Sequence, residues 1–493
     1  MNVNPITRLD YPDPDVIRVE DTYYMVSTTM HFMPGCEILQ SFDLVNWEHV
    51  TYVYETLDHT DAQQLKSGQN IYGQGMWAAS LRYHEGRFYI CFVANDTRKT
   101  YLYTSEKIDG PWKKQLIEGF YHDGSLLFDE DGRNYIVYGN DEIWITELNE
   151  DLTAPKKDGL HRLLVSDHKN PELGYEGSHI QKINGYYYIF LVHSLRDRWM
   201  RTEACFYSDS LEGEFTGGDV LCDDRGYCGQ GVAQGGIVDT PDGKWYAMLF
   251  QDSGAVGRIP ILLPVTWKDH FPFFGQNGHV PEEIEVHSTR PGYIYQPLVG
   301  SDDFCNGLLP RWQFNHDPDP RYYHLDALQG TYTITTREVC TELTQAVNTL
   351  TQRMSYPSCA AEVTVDASAL KEGDVAGLCA LQSCYAAVGI TKHHGKYEVL
   401  MLDKKEDGIL DMTEGTVVES HQMDFRLEAD FCNMKDEARC YYRVNKGDWL
   451  PIGNVHKLYF KMDHFTGCRF GLFCYAAEET GGSACFRDFK YYD

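Results

Sequence analysis

Three carboxylates stand in short, similar settings: Asp13 in YPDPD, Asp123 in HDGSLL and Glu176 in YEGSHI. Each comes just ahead of an apolar, strand-like run that turns back into an aromatic-rich one. Pro12 and Pro14 flank Asp13, set φ at about −65° and donate no hydrogen bond, so this carboxylate enters its strand on a stiff segment. A single acid in such a place reads as a strand-edge cap. Three acids brought together repel one another and raise at least one pKa, which folding does not need. The chemistry that does need it divides the labour: one carboxyl stays protonated to donate to a leaving oxygen, and another is ionised to work on water or on an anomeric carbon, as in glycoside hydrolysis. A metal site is the rival reading, since hard cations take carboxylate oxygens. However, no DxDxDG loop is present and the acids come from separate segments, so no metal ligands are assigned.

The elements that must hold these acids recur along the chain. The opening stretch YPDPDVIRVEDTYYMV is followed by SLRYHEGRFYICFV, SLLFDEDGRNYIVYG, HIQKINGYYYIFLV and GIVDTPDGKWYAMLF. Each has an apolar strand, a turn with Gly or Asp and an aromatic strand, which is the hairpin signature. With Val16, Leu81, Leu126, Ile180 and Ile237 as markers, the units lie 45 to 65 residues apart. No long helical periodicity interrupts them. Five β-units at such a period predict a five-bladed β-propeller, whose first strands line a central channel and begin at one mouth. Asp13 and Asp123 come three residues before their markers and Glu176 one residue further out. Ala78, after Trp77, and Gln234 hold the corresponding places in the second and fifth units.

The totals are consistent with this plan. A chain of 493 residues exceeds one ordinary core. Aromatic residues make up 13%, including 34 tyrosines, which suits both β-structure and sugar-binding surfaces. A net charge of −30 argues against nucleic acid and anionic membranes as partners and is compatible with a neutral substrate. The fifteen cysteines are odd in number and include several inside apolar runs, with no zinc-finger spacing. MNVNPITRLDYPDPD shows no secretory signal and no apolar run approaches a membrane span. Reduced thiols and a cytoplasmic location are the expectation.

YPDPD, HDGSLLFDEDGRNYIVYG and YEGSHIQKINGYYYIF together resemble the three signatures of glycoside hydrolase family 43, whose members are five-bladed propellers that cleave xylosides and arabinofuranosides with inversion. The likeness extends through GGIVDTPDGKWYAMLFQDSGAVGRIPILLPVTW. It implies Asp13 as general base, Glu176 as general acid and Asp123 as the residue that tunes and orients the acid, with Asp15 a structural neighbour. It further implies Trp77 as a pocket wall and Arg258 as a residue reaching substrate; Phe32 and Gln234 complete the candidate substrate-binding set. Met30 stands where some relatives carry an aromatic, with His31 and Phe32 following. No cofactor is implied. A structural calcium is left open, because Gln230 and Gln234 stand where many members carry a histidine near the channel axis. His122, His179 and His193 lie near the motifs and read as core histidines more readily than as substrate contacts.

After about residue 300 the repeat gives way to short alternating strands such as GTYTITT, SCAAEVTVDA and YAAVGITK, which predict a β-sandwich. DDFCNGLLPRWQFNHDP and FGLFCYAAEETGGSACFRDFKYYD resemble the concanavalin-like (jelly-roll) module at the C-terminus of family β-xylosidases. The chain is thus divided into a catalytic propeller, 1–298, and a sandwich, 299–493, for which packing that closes one side of the propeller's pocket is favoured over a carbohydrate-binding module. The expected activity is exo-acting, inverting release of terminal β-D-xylose or α-L-arabinofuranose from xylo- or arabinoxylo-oligosaccharides, with the oligomeric state open. An arabinan-cleaving hydrolase, which needs an open groove, and a propeller lectin, which does not need three acids, are the alternatives.

Overall fold

The computed structural model describes residues 3–493. Among these residues no α-helix forms, and four short 3-10 turns are the only helical elements. Five antiparallel sheets of four strands, each paired in chain order, make the five blades of a propeller. Blade one is Asp15–Val19, Thr22–Val26, Gly35–Ser41 and Glu48–Tyr54; the innermost strands of the other blades are Met76–His84, Ser125–Phe128, Glu176–Ile183 and Val232–Asp239. Tight turns set the hairpin register. Glu85-Gly86 and Asn184-Gly185 both have positive φ, 48° and 77° in one and 50° and 84° in the other, a left-handed pair whose twist matches the flanking strands.

Apolar side chains fill the seam between every two neighbouring blades. Val26 and Ile38 meet Leu81 and Phe92 between blades one and two, and Cys91 and Leu102 meet Leu126 and Ile136 between two and three. Val137 and Ile145 meet Ile180 and Ile189, Phe190 and Cys205 meet Ile237 and Leu249, and Val238 and Met248 meet Val16 and Met25. The fifth seam returns to blade one, so the ring is closed. The N-terminal segment secures that closure by running along blade five's Arg258–Lys268 strand, with Ile6 N–H donating to the Pro260 carbonyl at 2.8 Å and Tyr11 N–H to that of Arg258 at 3.0 Å.

The remaining strands form two packed sheets, a sandwich as the sequence predicts. The larger sheet runs through Gln313–Asn315, Leu350–Arg353, Arg469–Tyr475, Val375–Leu381, Ala386–His393 and Lys396–Lys404; the smaller is built around Ser358–Asp366, Gln422–Asp430 and Ser483–Tyr492. Propeller strands end at Phe274 and sandwich strands begin at Gln313, so the division at 298/299 falls in the strandless connection between them. The two units interlock, however. Phe32–Met33, from the connection between the second and third strands of blade one, pairs with Gln313–Asn315 as an edge of the larger sheet. This corrects the assignment of Phe32 to the substrate: it is fully buried under the Arg469 guanidinium, 3.4 Å from its ring centroid.

Charges also cross the interface. Arg353 Nη1 meets Glu37 Oε2 at 2.8 Å, and His49 Nδ1 meets the other oxygen at 3.0 Å. Burial works against the charge on Glu37, but Arg353 and His49 hold its carboxyl down at about 2. Asp10 joins the units through backbone groups: its Oδ1 accepts the N–H of Arg258 at 2.7 Å and its Oδ2 that of Gly467 at 2.8 Å.

Candidate active site

The position three residues ahead of the marker is left-handed in all five blades: Asp13 at φ 53°, Ala78 at 32°, Asp123 at 48°, Gly177 at 66° and Gln234 at 63°. In blades two, four and five the ladder slips at this point, between Trp77 and Ser80, Glu176 and His179, and Ala233 and Gly236, as at a β-bulge. Aspartate and glycine take this conformation readily, whereas Ala78 and Gln234 adopt it at a cost of about 1–2 kcal/mol each. The repeated turn re-aims the side chain at each strand start toward the mouth. It also explains why blade four's acid sits one residue further out, since Gly177 takes the left-handed place itself. Gly177 packs so closely on Gln234 that a Cβ there would lie 2.7 Å from Gln234 Cγ. Gln234 is buried in this contact, and its backbone N–H donates to Glu203 Oε2 at 2.7 Å.

Asp13 is buried and doubly held. Its Oδ2 accepts from Thr28 Oγ1 at 2.6 Å and its Oδ1 from Arg258 Nη1 at 3.1 Å. Thr28 Oγ1 in turn accepts the Ala78 N–H at 2.8 Å, which ties the first two strand starts together. Arg258 Nε and Nη2 are buried without a protein partner. Such orphaned donors are the kind a substrate hydroxyl satisfies.

Across the mouth, Asp123 Oδ2 accepts the Gly177 N–H at 3.0 Å and Glu176 Oε2 accepts from Asn140 Nδ2 at 2.7 Å. His122 Nε2 stands between the two, 3.6 Å from Asp123 Oδ2 and 3.5 Å from Glu176 Oε2. Burial pushes the Asp123 carboxyl up to about 6; His122 opposes the rise, and the negative charges of Glu176 and Asp13 add to it. His122 is pushed up to about 9, chiefly by Asp123, with Glu176 and Asp13 adding to the pull against desolvation. The core reading of His122 is therefore corrected: it is a cation inside the acid cluster. His179 and His193 do read as core residues, the first bound to Asp15 at 3.1 Å and the second to Asp219 at 2.8 Å.

Trp77 is half-buried, with its ring 6.2 Å from that of His122 and 5.5 Å from that of Phe465. Phe465 belongs to the sandwich and also lies under the Arg258 guanidinium at 4.4 Å. No motif marks this residue, and only its place between Trp77 and Arg258 reveals it. Arg201 completes the blade-five side, bonded through Nε to Asp252 Oδ2 at 2.9 Å and placed 5.3 Å from the Phe250 ring.

Below the mouth Asp15 has a structural partner set. It accepts the Leu81 N–H at 2.7 Å and pairs with Arg82 at 2.8 Å and His179. Burial opposes its charge, yet Arg82 and His179 hold it down at about 2. Arg82 also reaches Ser125 Oγ at 2.6 Å and the carbonyls of Leu126 and Ile180, so its guanidinium links the inner strands of four blades. Among the described residues, His122, Asp123 and Glu176 are the group with metal-ligand spacing, one ligand atom from each lying within 4.8 Å of the others. The protonated imidazole already places a positive charge between those two carboxylates. What the cluster can do is hold one proton near a third carboxylate, that of Asp13.

Comparison with known proteins agrees with this geometry. The model of the glycosyl hydrolases family 43 matches residues 3–272, and that of the β-xylosidase C-terminal concanavalin A-like domain matches 301–492. A β-xylosidase of Formosa agariphila is 27% identical over 97% of this chain and 88% of its own. A xylosidase/arabinosidase 43B of Humicola insolens is 25% identical over 99% of this chain and 96% of its own. The solved structure of a bifunctional GH43-CE protein of Bacteroides eggerthii superposes with a TM-score of 0.93 at 42% identity. It covers all of this chain, which spans only 64% of that protein.

Proposed function

Because the chain belongs to glycosyl hydrolase family 43, we propose that it removes a single terminal β-D-xylose or α-L-arabinofuranose from xylan-derived oligosaccharides, with inversion. It is a glycoside hydrolase, and the chemistry needs no cofactor. The observation that carries the exo-acting reading is the wall made by Trp77 and Phe465, one residue from each unit, beside His122 of the acid cluster. A groove for an internal arabinan segment would be open there. A lectin would have no use for a buried carboxyl raised to about 6 beside two further acids. The relatives named for both xylosidase and arabinosidase activity support the pair of sugars.

In this reading the terminal sugar sits with its hydroxyls on the free Arg258 donors. Asp13, oriented by Thr28 and Arg258, takes a proton from water as that water attacks the anomeric carbon. Glu176, held through one oxygen by Asn140, gives its proton to the departing glycosidic oxygen from the other. Asp123 positions blade four through the Gly177 N–H and keeps negative charge beside the acid. The fifteen unpaired cysteines support a reducing, cytoplasmic setting in which imported oligosaccharides are the substrate. The test is proton NMR of 4-nitrophenyl β-D-xyloside hydrolysis. α-Xylose should appear before mutarotation; β-xylose appearing first would overturn the roles of Asp13 and Glu176.

A further inference from the structure

Of the nine tryptophans, Trp199 alone is exposed, at 43%. It lies in the turn between Tyr186–Ser194 and Arg201–Ser208, the second and third strands of the blade that carries Glu176. The ladder shows where this turn projects. Glu176 pairs with Val192 and Val192 with Glu203, while Ser194 and Arg201 pair two residues further along. Residues 195–200 therefore continue past the general acid, beyond the strand starts that form the mouth.

Electrostatics gives the same placement. The Arg201 guanidinium lies 5.2 Å from the Trp199 ring centroid. The same guanidinium lies 5.3 Å from the Phe250 ring, which Arg258 also reaches at 5.4 Å, so it stands beside the arginine that holds Asp13. Burial works against its charge, and Asp252, Glu176 and, more weakly, Asp13 raise its affinity for the proton. The turn is also firmly held. Ser194 Oγ accepts the Met200 N–H at 2.8 Å and donates to the Arg198 carbonyl at 3.2 Å; Asn170 Nδ2 donates to the Ser194 carbonyl at 2.8 Å, and Arg196 pairs with Asp167. A rigid, exposed indole face contributes little to folding and is well suited to the C–H face of a neutral sugar.

Glu176 is the outermost acid, its side chain 18% exposed against 8% for Asp13 and 6% for Asp123. The oxygen it protonates must leave on that side. We propose that Trp199 is the stacking platform for the leaving-group sugar, the residue on the reducing side of the scissile bond. This rests on the reading of Glu176 as the general acid.

The test compares two substrates with the same terminal sugar, xylotriose and β-D-xylosyl fluoride, the second having no ring to stack. Trp199→Ala should lower kcat/KM for xylotriose by about two- to twelvefold, mainly through KM, the range expected of one ring contact. The fluoride should be cleaved at the unaltered rate, and Trp199→Phe should restore most of the loss. Unchanged xylotriose kinetics, or equal losses on both substrates, would overturn the platform alone. A native enzyme inert to both substrates would overturn the function with it.

Discussion

Replacing Asp123 by Asn tests the electrostatic design of the site most directly. Asn is isosteric and keeps an oxygen for the Gly177 N–H, so the strand start is retained while one negative charge is removed. The ligand atoms of Asp123 and Glu176 lie within 4.8 Å of each other. Two unit charges at that separation repel by about 0.9 kcal/mol if fully solvated and by about 3.5 kcal/mol at an effective dielectric of ~20. These energies correspond to about 0.6 and 2.5 pH units. The His122 cation stays close to both positions and offsets part of the effect, so a shift of about one unit is expected. Its sign is fixed: a neighbouring anion makes the acid's proton harder to lose, so removing it lets the proton go at lower pH. The basic limb of kcat/KM against pH, measured on xylobiose, whose departing sugar needs the acid's proton, should move down by that amount. The imidazole of His122 should titrate below about 9 in the variant, because Asp123 is the main cause of its elevation. A basic limb that stays in place or moves up, with activity retained, would leave Asp123 as a mere tether for Gly177.

Two further outcomes follow from named contacts. Glu176→Gln should slow xylobiose hydrolysis by about 10²–10⁴-fold while sparing aryl xylosides with good leaving groups, and equal losses measured on both would remove Glu176 from the acid's role. Glu37→Gln leaves Arg353 buried without its carboxylate and should cost about 3–5 kcal/mol in urea unfolding. In the native protein the folded carboxyl of Glu37 lies at about 2, below its unfolded value, so its contribution is present at neutral pH and is lost as pH falls from about 4.5 toward 2.

The propeller was legible because its signal is repeated five times: each hairpin places aromatic and apolar residues at the same offsets, and the seams they fill are local to neighbouring units. The acids were legible for the same reason, Asp13 and Asp123 as departures from Ala78 and Gln234 at one repeated position and Glu176 one residue beside it. The left-handed turn that unites these positions was not legible. It is a backbone state that Asp, Ala, Gly and Gln all occupy here, and only Gly177 advertises it. His122 was misjudged because burial and charge depend on what faces a residue, and the faces of Asp123 and Glu176 are set by two different blades. Phe32 was misjudged because its strand pairs with a partner nearly three hundred residues away, for which local pattern carries no information.

That same long-range pairing bears on why the enzyme has a second unit at all. The mouth of a five-bladed ring is open on every side, and nothing in its strand starts limits how much of a sugar chain lies across it. Closing one side is what turns a channel mouth into a pocket for one terminal residue. Phe465 does this from the sandwich, with its ring 5.5 Å from that of Trp77 and 4.4 Å from the Arg258 guanidinium. Asp10 supplies the registration, since one carboxylate holds the backbone of Gly467, two residues from Phe465, and the backbone of Arg258, whose side chain orients Asp13. Phe32–Met33 and the Glu37–Arg353 pair hold the rest of the sandwich against blade one. The domain boundary in the sequence is therefore not a boundary in the site. Phe465 is held beside Trp77 and Arg258 by contacts that exist only when both units are docked, and Asp10 ties that docking to the strand that carries Arg258.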